Sequence, residues 1–274
     1  MRFSRLSRTH WTFDMTEPDT LISVRDLTIA FGPKVIQQNV SFDLKRGSIF
    51  AVMGGSGCGK STLLKSMIGL LRPTSGQILV GGEDYWAQNE KRRTELNHRY
   101  GVLFQSAALW SSMTVGENVA LPMEMFTDLT PEVIRRLVEL KLGFVGMEQA
   151  IDLMPSEISG GMRKRAGLAR AIALEPDILF FDEPSAGLDP ITSARLDDLI
   201  LTLRDGLGAT IVIVSHELPS LFKIADDGIF LDARTHTPIA RGSPRDLRDH
   251  NTIPEVVAFM NRKADIAPAS ETKG

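Results

Sequence analysis

An α/β fold built on a largely parallel sheet is the fold class that this 274-residue sequence predicts, and three observations support it. Short all-apolar runs recur along the chain, as they do in strands that are buried on both faces. Segments with helical periodicity alternate with these runs, which is typical of parallel sheets. A glycine-rich segment, finally, lies between one apolar run and one helical pattern. Together these features predict a sheet with polar residues at its strand ends.

Composition excludes several classes of protein. Hydrophobic residues make up 43% of the chain and charged residues 24%, which is ordinary for a globular protein. The net charge of −3 shows no basic excess of the kind that nucleic-acid-binding proteins carry, so no nucleic-acid partner is predicted. No apolar run approaches the ~18–20 residues of a membrane-spanning helix. The single cysteine, Cys58, excludes an internal disulfide framework and fits a reducing compartment.

The N-terminal segment, residues 1–20, is predicted to be a disordered arm. It carries three arginines and lacks the apolar region of a secretory signal. Two alternatives stay open, a short amphipathic targeting peptide and an upstream start with Met15 as the usual first residue. From Leu21 to Leu44 the pattern indicates two β-segments.

The rest of the chain is predicted to form one domain, residues 21–242, with a C-terminal tail of residues 243–274. Between Leu109 and Ile158 the periodicity is helical, which predicts a helical insertion at about residues 106–160. The tail is predicted to contain one helix, Ile253–Met260, whose apolar face packs either on its own domain or on a neighbouring protomer. The predicted buried strands are Ile49–Met53, Val102–Phe104, Asp177–Phe181 and Ala209–Val214.

The glycine-rich segment carries the first chemical signal. It consists of Gly54, Gly55, Ser56, Gly57, Cys58, Gly59, Lys60 and Ser61, which satisfy G-x-x-x-x-G-K-[ST], and Thr62 follows. Glycines let the backbone curl so that successive N–H groups converge on a phosphate, and the helix start adds its positive end. Lys60 supplies a cation for the β- and γ-phosphates, and the Ser61 hydroxyl is a ligand for Mg²⁺. Cys58 is expected to be a loop residue without a redox role.

A pair of carboxylates carries the second signal. Asp182 and Glu183 directly follow the apolar run Ile178–Phe181, at a predicted strand end. Adjacent acids at such a place point in different directions and can divide the work. Asp182 is predicted to hold Mg²⁺ through water, and Glu183 to polarise the attacking water as a general base. An isolated Asp-Glu pair would be an ordinary acidic cap, but the upstream phosphate loop favours the catalytic interpretation.

Ser159-Gly160-Gly161 precedes a helix predicted at Met162–Leu174 and by itself indicates only a capped helix start. In order along residues 21–242, however, the phosphate loop, this signature, the acidic strand end, the segment Ser185–Pro190 and Ser215-His216 resemble the motif series of ATP-binding-cassette (ABC) ATPases. The resemblance implies a P-loop NTPase (RecA-like) core, an N-terminal antiparallel β-subdomain and a helical subdomain that carries the signature.

The same resemblance implies roles for further residues. Phe31 would stack on the adenine ring, and Gln105 would contact Mg²⁺ or water and link the catalytic site to the helical insertion. His216 would reach the γ-phosphate, and Asp189 would touch the active site of a partner. Ser159, Gly160 and Gly161 would contact the γ-phosphate from the other protomer of a head-to-tail homodimer that closes on ATP. The implied catalytic set is Glu183, His216, Gln105 and Lys60, and the implied metal ligands are Ser61, Gln105 and Asp182.

One residue departs from the usual ABC pattern. The signature commonly ends in Gln, and Met162 stands there. The serine hydroxyl, the glycine N–H and the helix start are retained. We therefore expect the change to alter the rate of hydrolysis without removing activity.

Three segments indicate a subgroup of the ABC ATPases. Residues 101–109, 114–122 and 153–162 resemble ATPases that serve MCE-type lipid transporters of the Mla type. This resemblance implies phospholipid transport between the inner and outer membranes, with a permease dimer, an MCE-domain protein and a small STAS-domain protein as partners. It places the chain peripherally on the cytoplasmic face of the bacterial inner membrane. The alternatives are an ATPase for an amino-acid, lipoprotein or other solute transporter, a soluble ABC protein, and a P-loop domain without turnover.

Overall fold

The computed structural model of the protein describes residues 20–262. Their strands are β1 (Thr20–Phe31), β2 (Lys34–Lys45), β3 (Ile49–Gly54), β4 (Ser75–Val80), β5 (Glu83–Asp84), β6 (Tyr100–Leu103), β7 (Ile178–Asp182), β8 (Thr210–Val214), β9 (Asp227–Leu231) and β10 (Pro238–Arg241). Their α-helices are α1 (Lys60–Met67), α2 (Glu90–Asn97), α3 (Val115–Phe126), α4 (Pro131–Phe144), α5 (Gly160–Ala171), α6 (Pro190–Leu207), α7 (Leu218–Ile224), α8 (Pro244–His250) and α9 (Pro254–Met260). Within this part of the chain, no helix has the length and apolar character that crossing a membrane requires.

The central sheet has the strand order β10-β9-β3-β8-β7-β6. All neighbouring pairs are parallel except β10 with β9. Every residue of β3, β7 and β8 is buried, which is why these strands are apolar apart from Asp182 and Thr210 at their ends. The predicted α/β class with a parallel sheet is therefore confirmed. Parallel pairing also brings the carboxyl ends of these strands to one edge, where ligands of such sheets bind.

A second, antiparallel sheet has the order β2-β1-β4-β5. The inner face of its β1–β2 hairpin packs on the central sheet, with the Phe42 and Phe50 rings stacked at 4.8 Å between centroids. The sequence did not predict β4, because its first three residues are exposed and polar or glycine. The strand is held by pairing with β1 rather than by an apolar pattern of its own.

Residues between β6 and β7 form a helical unit of α3, α4 and α5, with two single turns of 3₁₀ helix before α5. Its helices pack through buried apolar residues such as Val119, Val138 and Leu168. The signature helix was predicted from Met162 to Leu174 but spans Gly160–Ala171. It begins two residues earlier than expected because Ser159 caps it and both glycines join the first turn.

The C-terminal segment contains two helices, whereas the sequence predicted only Ile253–Met260. The prediction missed α8 because, apart from Pro244 at its start, this seven-residue helix has one buried apolar side chain, Leu247, between charged residues. In α9, Val256 and Met260 are buried in the main core, so this face covers its own domain. Truncation after Pro244 would therefore remove core residues, which makes it a test of folding. The predicted arm, apart from Thr20, and the end of the tail lie outside the described residues.

Candidate nucleotide-binding site

The candidate site lies where β3, β7 and β8 end side by side. After β3 comes the glycine-rich loop, after β7 comes Glu183, and after β8 come Ser215 and His216. Gln105 follows β6, which pairs with β7, so it belongs to the same edge. The sheet order thus brings four segments together that lie far apart in the sequence.

The loop between β3 and α1 is shaped by close contacts with its surroundings. At Gly54 (φ +142°), a Cβ atom would lie 2.3 Å from the carbonyl oxygen of Leu231, so only glycine fits. Gly59 is the N-cap of α1 in a left-handed conformation, and no side chain caps this helix. Its first N–H groups are therefore available to an anion. The nearly buried Lys60 donates from Nζ to the carbonyl oxygens of Gly54 (2.9 Å) and Gly55 (3.0 Å), which places its ammonium over the loop.

Asp182 and Ser61 meet across the sheet edge. The Ser61 hydroxyl donates to Asp182 Oδ1 at 3.0 Å. Burial raises the pKa of Asp182, and the Ser61 hydrogen bond opposes that shift. A hydroxyl and a carboxylate side by side are the oxygen donors that Mg²⁺ prefers, and Mg²⁺ commonly takes one or two protein ligands and completes its shell with phosphate and water. The donor set fits this ion, because Mg²⁺ needs only one or two protein ligands when phosphate and water supply the others.

Glu183 is held from several sides. Its φ of +48° is unusual for a residue other than glycine, and its N–H donates to Val214 O at 2.8 Å. Its side chain contacts His216, with 2.9 Å between Oε1 and Nδ1. The strained backbone of Glu183 and these two contacts together fix the direction of its carboxylate at the edge of the sheet.

Lys164 is a site residue that the sequence analysis missed. Its Nζ donates to the backbone oxygen of Glu183 at 3.0 Å, and the side chain is only 6% exposed. Burial lowers the pKa of this ammonium group, although Glu183 and Asp182 oppose the shift. A lysine among the arginines of α5 looks like part of a solvated face, and only the packing of α5 against the strand end reveals the contact.

The structure leaves two predicted residues exposed at the rim. Phe31 ends β1 with 53% of its surface exposed, which leaves a ring face available for stacking. Gln105 is exposed in the turn after β6. The roles predicted for both residues stay predictions.

The signature segment is separate from the phosphate loop. Ser159 caps α5 by accepting a hydrogen bond from the Met162 N–H at 3.2 Å, and Ser159 and Gly160 are exposed. Among the described residues, no hydrogen bond joins this segment to residues 54–62. The predicted contact of Ser159, Gly160 and Gly161 with a γ-phosphate on another protomer stays a prediction.

Asp189 has a clear role within its own chain. Its carboxylate caps α6 by accepting from the N–H groups of Ile191 and Thr192 and from the Thr192 hydroxyl. The hydrogen bond from Thr192 lowers the pKa of Asp189. The Asp189 side chain remains exposed, and its predicted contact with the active site of a partner stays a prediction.

Comparison with known proteins agrees with this geometry. The family described as ABC transporter matches residues 37–186. The intermembrane phospholipid transport system ATP-binding protein MlaF of Escherichia coli K12 is 44% identical over 246 residues, which cover 89% of this chain and 90% of the relative. MlaF of Haemophilus influenzae is 42% identical over 246 residues, with 89% and 92% covered.

A solved structure supplies a third comparison. The ATP-binding cassette MJ0796, a dimer in a post-hydrolysis state bound to ADP and Pi, superposes with a TM-score of 0.75 at 26% identity. The match covers 81% of this chain and 98% of that one. The chain belongs to the ABC transporter family and is one of its ATP-hydrolysing cassette subunits.

Proposed function

We propose that this subunit hydrolyses ATP to drive phospholipid transport between the inner and outer membranes of a bacterium, through a separate permease and MCE-domain complex. The observation that carries the proposal is the 44% identity to a phospholipid transport ATPase over 246 residues, which is well beyond the length of the shared nucleotide motifs. The three segments that resemble MCE-type ATPases lie within this alignable part of the chain.

The phosphate loop and the residues around it bind the nucleotide. The uncapped N–H groups at Gly59 and the start of α1 receive phosphate oxygens, and Lys60 exchanges its two loop carbonyls for the β- and γ-phosphates. Phe31 stacks on adenine. Ser61 and Asp182 would hold Mg²⁺, with Gln105 as a further oxygen ligand. When bound, the ion would neutralise phosphate charge.

Hydrolysis depends on Glu183. Its carboxylate accepts a proton from the water that attacks the γ-phosphate, and its position is set by Val214, Lys164 and His216. His216 has 55% of its side chain exposed, so it is free to turn toward the γ-phosphate while it keeps Glu183 oriented. This division leaves binding to the loop and proton transfer to the strand end.

A second copy of the chain completes the site. Ser159 and Gly160 are exposed on the outside of the helical unit and Gly161 is partly exposed, as expected for residues that contact ATP bound to another protomer. The dimeric state of MJ0796 supports a homodimer. Two ATP molecules would then lie between two chains, so that hydrolysis opens the pair and moves the attached permease.

The remaining partners are those that the resemblance to Mla-type ATPases implies. We place the homodimer peripherally on the cytoplasmic face of the inner membrane, bound to a permease dimer, an MCE-domain protein and a small STAS-domain protein. The subunit does not need to contact the lipid itself, because the motion of the dimer supplies the work.

Isolation of the tagged full chain from membranes of its own organism tests the proposal. After mild detergent extraction, we expect a permease, an MCE-domain protein and co-purifying phospholipid, identified by mass spectrometry. The Lys60→Ala variant is the matched control, since it should lose hydrolysis and retain these partners. Recovery of a periplasmic solute-binding protein or of a lipoprotein-releasing permease would replace the lipid proposal with the alternative transporter class.

A further inference from the structure

Gln37 is a fully buried polar side chain in β2, a strand whose other buried positions are apolar. Its Nε2 donates to the backbone oxygen of Cys58 at 2.6 Å and to the backbone oxygen of Asp232 at 3.2 Å. Both partners are acceptors only, which fixes which end of the amide faces them. A buried amide at this place therefore joins the antiparallel sheet, the phosphate loop and the end of β9.

The hydrogen bond to Cys58 has a consequence for the next N–H group. The Cys58 carbonyl and the Gly59 N–H belong to one planar peptide unit, and no peptide bond in residues 20–262 is cis. In a trans unit the two groups point in opposite directions. Because Gln37 holds the carbonyl on the side of β2, the Gly59 N–H faces away from β2. Among the described residues, that N–H has no acceptor, which leaves it for a phosphate.

The backbone of the loop also rests on the same strand. A Cβ atom at Gly59 would lie 2.8 Å from Ile36 Cγ2 and 3.1 Å from Gln37 Cγ, and the φ of Gly59 is +96°. The loop therefore lies against β2 at residues 36–37 without room for a side chain. Contact and hydrogen bond act on the same peptide unit.

The second acceptor of Gln37 Nε2, the backbone oxygen of Asp232, belongs to a hydrogen-bonded turn after β9. Asp232 donates its N–H to Thr237 O at 3.0 Å, and its carboxylate accepts from Arg234 N and Thr235 N. The Gln38 N–H donates to His236 O at 2.7 Å, which joins the same turn to β2. Gln37 Nε2 thus joins this turn to the phosphate loop.

We propose that Gln37 is a positioning residue for ATP binding: it orients the Cys58–Gly59 peptide so that the Gly59 N–H points at the phosphates. It acts through the loop and does not contact the nucleotide. The inference rests on the ATP site of the proposed function and is independent of the transported substrate, the permease and the second protomer.

Gln37→Leu tests this role, since leucine keeps a similar volume and has no donor. We expect the KM for ATP and the Kd for ATP measured with EDTA to rise about tenfold, because the hydrogen bond that orients the Cys58–Gly59 peptide is lost, while kcat changes less than threefold. Gln38→Leu makes the same change at the next position of the strand, which is only partly buried, and should leave both constants within twofold of the parent.

The ATP affinity of Gln37→Glu should depend on pH in a way that a merely structural role of Gln37 would not produce. Its carboxylate would face two carbonyl oxygens at high pH, whereas the protonated carboxyl can donate one hydrogen bond to Cys58. Burial raises the pKa of such a group, so the ATP affinity of this variant should recover at least threefold as the pH falls from about 8 to about 6. The parent should not gain affinity over this range.

Thermal melting of the same full-length proteins separates binding from folding. An unchanged KM in a folded Gln37→Leu variant, or a loss of kcat with KM unchanged, would overturn the proposal. If Gln37→Leu does not fold, the pH series on Gln37→Glu decides, and an affinity independent of pH overturns the proposal. Failure of the lipid-transport proposal would appear in the membrane partners and would leave these constants untouched.

Discussion

The chain contains two helices that begin with glycines at functional motifs, and they are built differently. Helix α1 starts at Gly59 without a side-chain cap, beside a buried lysine, with β2 and β9 packed against its loop. Helix α5 starts at an exposed Ser159, which caps the helix itself. The first motif is anchored by β2 and β9 of its own domain, and the second is presented outward.

This contrast fits the proposal that each catalytic site is shared between two chains. A phosphate-binding loop requires N–H groups fixed in advance, which buried neighbours provide. A motif that contacts ATP bound to another protomer must be exposed. The first turn of its helix must also stay formed when no ligand is bound. The Ser159 cap supplies that stability. The predictions below test this difference.

Lys60→Ala should have the largest effect. Removal of the ammonium group leaves the loop without its mobile cation, so kcat/KM for ATP should fall about 10³-fold. The exposed Lys65, one turn further along α1, is the control, and Lys65→Ala should stay within threefold. Steady-state phosphate release measures both. A loss of less than tenfold for Lys60→Ala would mean that the phosphates bind elsewhere.

Ser159→Arg should follow, with a loss of about 10² in kcat, because a large side chain blocks the contact with the partner's nucleotide. The Kd for ATP of the isolated chain should remain within twofold, since the loop is untouched. The control is Ser156→Arg, another exposed position before the signature. Equal losses of affinity and turnover would show that the signature acts within its own chain.

Lys164→Met should reduce kcat about tenfold with KM within twofold, because it removes one hydrogen bond from the backbone of Glu183. Lys164→Arg retains a donor and should recover part of the rate. Melting temperatures of both variants check the fold. If Lys164→Met keeps the parent's kcat, α5 has no influence on Glu183.

Met162→Gln should give the smallest effect, a change in kcat of less than about threefold. The Met162 N–H, which glutamine also supplies, donates to the Ser159 cap, and the Met162 side chain is partly buried against the main core. A change above tenfold would mean that the side chain itself contacts the nucleotide or the partner.

Sequence alone was sufficient for the parts of the fold whose signal is local. The buried strands β3, β7 and β8 are apolar except for Asp182 and Thr210 at their ends, and each precedes or contains a motif residue, so both the sheet and its polar edge were predictable. The glycine-rich loop was also recognisable from its residue pattern alone, although contacts with Leu231 and Ile36 are what require glycine at positions 54 and 59. The family and the fold class followed from the order of these motifs, and both are confirmed.

The missed features depend on contacts between distant segments. Lys164 and Gln37 lie 19 and 21 positions from their partners Glu183 and Cys58, and neither has a neighbouring residue that reveals its burial. Strand β4 forms because β1 offers it an edge, and α8 forms because Leu247 reaches a core that the sequence does not display. The sequence of a short polar segment is the same whether the segment is exposed to solvent or packed against such a surface.

The mass of the Glu183→Gln variant in solution, with and without ATP and Mg²⁺, tests most directly whether two chains complete one site. Loss of the general base should preserve binding and prevent opening. We predict the mass of one chain without nucleotide and of two chains with saturating ATP. A single-chain mass at saturating ATP would contradict the account.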